Sequence, residues 1–117
     1  MEALEKLEVW QRSCRLAISI YEALNPSNEF AFKDQITRSA LSVASNIAEG
    51  YERSSPKQFA QYLRIAKGSC GELRTQLYIG KEAGFIAPSD ADPLIAEAIE
   101  ISKMVYGLIK YCETKSS

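Results

Sequence analysis

The sequence predicts an all-α protein, an up-down-up-down antiparallel four-helix bundle, and three observations carry that prediction. Apolar residues recur at alternating spacings of three and four through four separate runs, the pattern of helices that each bury one stripe. The runs are separated by short segments rich in Pro, Gly, Ser and Asn, so consecutive helices must lie as antiparallel neighbours. No segment shows the period-two alternation of a half-buried strand.

The first run places Leu7, Trp10, Cys14, Ala17, Tyr21 and Leu24 on one seam, and Asn25-Pro26 ends it. The second follows the turn-like "NPSNE" with Phe32, Ile36, Ala40, Val43 and Ile47, and continues to about Arg53. "SSPKQF" starts the third: Ser55 caps, Pro56 suits the first helical position, and Gln58 stands where a capping box takes Glu or Gln. Its seam is Phe59, Leu63, Ala66, Cys70, Leu73, Leu77 and Gly80, with Gly84 as the C-terminal cap. In the fourth, Ser89 or Asp92 is expected to cap and the seam runs Leu94, Ala98, Ile101, Val105, Leu108 and Cys112, with the tail "ETKSS" frayed. A long bent hairpin pair or a domain-swapped dimer fits the same pattern. No repeat or linker divides the 117 residues, so residues 1–117 form one domain.

Composition excludes several function classes. No apolar run approaches the roughly 20 residues of a membrane span, and the glutamate-rich start "MEALEKLEVW" is no signal peptide, so a cytoplasmic location is expected. The formal charge of -1 gives no global attraction toward phosphate, so any nucleic-acid role needs a local patch. Cys14, Cys70 and Cys112 are widely spaced on core-facing positions and read as reduced thiols. With no histidine there is neither a neutral-pH acid-base group nor the Glu-x-x-His pairs of a di-metal bundle. The expectation is therefore a non-enzyme without cofactor or metal, in which Glu49, Glu72, Glu97 and Glu100 are solvated.

The stretch "SVASNIAEGYERSSPKQF" bears on packing. Ala44, Ser45 and Ala48 allow a neighbouring helix to come close, and Val43, Ile47 and Gly50 continue the inward stripe. Asn46, Glu49 and Arg53 lie on the other side. They are either a solvated face with an i, i+4 Glu49–Arg53 pair, or a polar contact across a helix or subunit boundary that fixes register.

Two further patterns concern partners. Arg64, Lys67, Arg74 and Lys81 project to one flank of the third helix with Tyr78 among them, a basic and aromatic arrangement suited to RNA or DNA, or simply a solvated flank. Gly68 and Gly71, inside the same helix, are expected at a close helix crossing. A second apolar stripe, Val9, Leu16 and Ile20 on the first helix, Ile65 and Ile79 on the third, and Ile95, Ile99, Tyr106 and Ile109 on the fourth, exceeds what one bundle needs. It predicts a homo-oligomer.

The segments "VWQ" (Val9 to Gln11), "SNIAEG" (Ser45 to Gly50), "SPKQF" (Ser55 to Phe59) and "GSCGELRTQL" (Gly68 to Leu77) resemble a bacterial four-helix-bundle family. These are the proteins encoded in intervening sequences of large-subunit ribosomal RNA genes, often labelled ribosomal proteins, and related to the accessory protein of diversity-generating retroelements. The resemblance spans about Leu7 to Tyr111. It implies a homopentameric ring, with nucleic-acid binding in part of the family. Members of that family commonly carry proline before "SNIAEG"; Ala44 stands there in this chain, so the associated kink is not expected.

Overall fold

The computed structural model describes residues 3–116. Over these it consists of a short 3-10 turn, Leu4–Lys6, and four α-helices: α1 Glu8–Leu24, α2 Phe30–Tyr51, α3 Pro56–Ala83 and α4 Pro88–Lys115. Each helix runs antiparallel to the next, and α1 closes against α4. Gly50 of α2 meets Phe59 and Tyr62 of α3 at one end, while Phe32 meets Gly80 and Phe85 at the other. The result is a rod of 47 × 21 × 21 Å. Packing is most extensive where α3 lies against α2 and α4, and sparser around the shorter α1.

The boundaries follow local chemistry. Ser55 is extended and its hydroxyl accepts from the Gln58 amide, Pro56 occupies the first helical position, and Gly84 ends α3 at φ 83. That left-handed conformation is why a glycine stands there. α4 begins earlier than expected, at Pro88 after extended Ala87, with no side-chain cap. Neither Ser89 nor Asp92 caps it, because proline at the first position already supplies a helical φ and leaves one fewer donor to satisfy. α4 also stays helical through Lys115, so the tail is ordered further than expected, and Ser117 lies outside the described residues. α2 runs unbroken through Ala44.

The core contains the expected residues of α2, α3 and α4 except Phe32, Phe59 and Leu108, which are half-buried against it, but α1 is rotated. Its buried residues are Val9, Ser13, Leu16, Ala17, Ile20 and Leu24, whereas Leu7, Trp10 and Cys14 are half-buried and Tyr21 is exposed. The polar Ser13 is tolerated in the stripe because its hydroxyl donates to the Val9 carbonyl at 2.7 Å. On α4, Ile109 takes the core position expected for Leu108, which is half-buried. Cys70 and Cys112 are buried and Cys14 is half-buried, all as free thiols. Burial pushes the Cys70 thiol up to about 11, and raises Cys14 and Cys112 for the same reason.

Close packing comes at Gly50 and Gly80 rather than at Gly68 and Gly71. A Cβ on Gly50 would stand 2.7 Å from Tyr62 Cβ and 3.2 Å from the Phe59 carbonyl oxygen, so only glycine lets α2 and α3 meet there. Gly68 and Gly71 are exposed, with nothing within 4 Å of such an atom. The tight crossing expected around them is absent within the chain.

Candidate functional site

The α3–α4 side carries the chain's candidate surfaces. Antiparallel packing sets the basic flank of α3 beside α4, and α4 neutralises both ends of that flank. Arg64 pairs with Glu113 at 2.9 Å, and Lys81 with Asp92 at 2.8 Å. The Arg64 hydrogen bond, reinforced by Lys110, holds the Glu113 carboxyl below its usual range, while the Asp92 hydrogen bond raises the Lys81 ammonium.

Between these pairs the flank stays cationic. Lys67 and Arg74 have no carboxylate partner among the described ion pairs. They line a groove floored by Cys70, Gly71, Ala98 and Ser102. Toward one end it opens into a hollow of about 370 Å³ bounded by Arg74, Tyr78, Ile95 and Ile99; toward the other it continues past Ser102, Lys103 and Tyr106. Tyr106 lies beside two cations, with Lys67 Nζ 6.0 Å and Lys110 Nζ 5.5 Å from its ring centroid. The structure thus brings Arg64, Lys67, Arg74, Tyr78 and Lys81 onto one side and adds Lys103, Tyr106 and Lys110. Sequence reading missed these α4 contributions as a charged surface, because they join the flank only once the register between α3 and α4 is known.

The apolar stripe divides. Val9, Leu16, Ile20 and Ile109 are at most 5% exposed and belong to the chain's own core, so they cannot form an association surface. The rotation of α1 and the inward turn of Ile109 account for this correction. Ile65, Ile79 and Tyr106 are about half exposed, at 52%, 52% and 50%, and Ile95 and Ile99 are half-buried. The surviving members all lie on α3 and α4.

The polar residues of α2 make a seam to α3. Ser39 donates to Glu72 at 3.0 Å, the Ser42 and Ser69 hydroxyls bond at 2.8 Å, and Asn46 donates to Ser42 Oγ at 3.0 Å. Asn46 therefore supports an interhelical contact through Ser42. Glu49 sits 3.7 Å from Arg53, and Arg53 donates to the Tyr62 hydroxyl at 2.8 Å with its guanidinium 5.0 Å from that ring. Glu72 is exposed, as expected, while accepting the Ser39 bond, whereas Glu97 is half-buried and engaged rather than solvated. Glu97 receives two bonds from Arg12, at 2.9 and 2.6 Å, joining α1 to α4. That grip holds the Glu97 carboxyl below its usual range.

An apolar groove of about 480 Å³ also opens at the end of the bundle, among Leu7, Tyr51, Phe59, Leu108 and Tyr111. Among the described residues no cluster of His, Cys, Asp and Glu has a metal-binding arrangement, and no helix is long and apolar enough to cross a membrane.

No functionally curated protein matches the sequence. A solved structure similar to this chain is a protein with unknown function from the S23 ribosomal protein family of Bacteroides thetaiotaomicron VPI-5482. It is 28% identical, covers 87% of this chain and 98% of its own, and superposes with a TM-score of 0.81. The family model described as 23S rRNA-intervening sequence protein matches residues 5–107. With nearly the whole bundle inside that match, the chain belongs to the 23S rRNA-intervening sequence protein family.

Proposed function

We propose that the protein is a non-enzymatic interaction module that associates with itself and presents α3 and α4 as its working surface in the cytoplasm. The observation that carries this reading is the outer stripe of α3. Ile65 and Ile79 lie four turns apart on one face, both about half exposed, with Gly68 between them bare of any neighbour. A glycine in an exposed helix interior costs about 1 kcal/mol relative to alanine. Close approach of a second copy gives Gly68 a purpose that the isolated bundle does not. Five copies is the number that the family resemblance implies. Light scattering after size-exclusion chromatography tests the reading. The expected result is a multiple of the 13.0 kDa protomer mass, reduced by Ile65→Glu or Ile79→Glu with helicity retained; a monomer at micromolar concentration overturns it.

A second reading, nucleic-acid binding through the basic flank, is favoured by one specific arrangement. Lys67 and Arg74 of α3 and Lys103 of α4 face one groove with no carboxylate partner among the described residues. Mobility shifts with RNA and DNA across a salt series test it, and affinity should fall steeply as salt rises. Absence of a shift at low salt excludes it.

A further inference from the structure

The hollows between α3 and α4 form one channel. The hollow at Tyr78 and the central one share Arg74, and the central one shares Lys67 and Ser102 with that at Tyr106. Along α3 the channel spans about 16 Å from Lys67 to Tyr78. Its floor is low because Gly71, Ala98 and Ser102 are small, and a tyrosine stands at either end, Tyr78 58% and Tyr106 50% exposed.

We infer that this channel takes single-stranded nucleic acid, with phosphates against Lys67, Arg74 and Lys103 and bases stacked on Tyr78 and Tyr106. The inference rests on the nucleic-acid reading above and specifies its ligand. Exposed tyrosines contribute to binding only if bases are free to leave their own stack, as they are in a single strand. A duplex offers this surface phosphates alone, and three of the six cations on this side are already paired, Arg64 and Lys110 with Glu113 and Lys81 with Asp92. Lys67 Nζ and Lys110 Nζ lie over the Tyr106 ring at 6.0 and 5.5 Å, so a base stacking there displaces an ammonium from the ring face and leaves it beside the same nucleotide's phosphate. Gly71 and Ala98 keep the floor open, and a large side chain at either would fill it.

Fluorescence anisotropy with a labelled single-stranded RNA oligomer and the same sequence as a duplex, at low and physiological salt, tests this. The expected result is at least about tenfold tighter binding of the single strand. Tyr78→Ala and Tyr106→Ala should each weaken single-strand binding about tenfold with little effect on the duplex. Lys67→Ala and Arg74→Ala should weaken both ligands and flatten the salt dependence. Circular dichroism melting confirms that each variant is folded. Equal or tighter duplex binding, or tyrosine variants of unchanged affinity, overturns the single-strand inference while leaving the basic-flank reading standing. No binding of either ligand at low salt overturns both.

Discussion

The Arg12 guanidinium clasps the Glu97 carboxylate through two bonds, 2.9 and 2.6 Å, and fastens α1 to the N-terminal half of α4. Bidentate geometry and partial burial, with 25% and 32% of the two side chains exposed, distinguish this pair from the surface pairs elsewhere. Arg12→Ala and Glu97→Ala should each cost about 1 kcal/mol in urea denaturation, and the double variant little more than either. Full additivity would show that the two side chains act independently.

The same pair sets an acid dependence. Glu97 has its carboxyl lowered from 4.5 in the folded protein, chiefly by the Arg12 hydrogen bond. Its contribution is therefore complete above the unfolded value and is lost as pH falls through the lower folded one. Melting temperature should drop below about pH 4.5 less steeply in Glu97→Gln than in the parent protein. Parallel acid profiles would remove Glu97 from the account.

The glycines of α2 and α3 should respond in opposite directions. Gly50→Ala drives a methyl group into Tyr62 and the Phe59 backbone, and should cost about 2 kcal/mol. Gly68→Ala meets open space and should stabilise the dissociated chain by up to about 1 kcal/mol. If copies pack over Gly68, the same change weakens assembly, which mass measurement on dilution reads separately from melting.

Thiol chemistry should follow burial. Cys70, raised to about 11, and buried Cys112 should resist maleimide at neutral pH until the bundle opens, and half-buried Cys14 should label first. Mass spectrometry of labelled peptides over time gives the order directly.

Removing the carboxylates that silence the flank should enhance nucleic-acid binding. Asp92→Asn releases Lys81, and Glu113→Gln releases Arg64 together with the more loosely held Lys110. Each should tighten binding to a single strand at low salt and steepen the logarithmic salt slope by about 0.7. Unchanged affinity in both variants would place the ligand elsewhere.

How far the sequence disclosed this arrangement depended on how many stripes each helix offered. The main apolar stripe of α3 is long and regular, its outer stripe has only Ile65 and Ile79, and the N-cap and terminator stand where expected. α1 offers two stripes of equal spacing. The polar Ser13 interrupts the one that is buried, while Cys14 and Tyr21 make the other look continuous, and only the hydroxyl bond to Val9 resolves the choice. The α3 flank was legible because its residues share one helix. Lys103, Tyr106, the Glu113 and Asp92 pairings and the Arg12–Glu97 clasp were not, because each depends on which turn of one helix faces which turn of another.

The brevity of α1, 17 residues against 28 in both α3 and α4, also has a dynamic consequence. An element that shares less interface with its neighbours is the cheapest to release, so the rod should breathe by swinging α1 outward while the other three remain docked. Amide hydrogen exchange would record that as early loss of protection along α1, with the slowest protons clustered around Leu73 and Ile101.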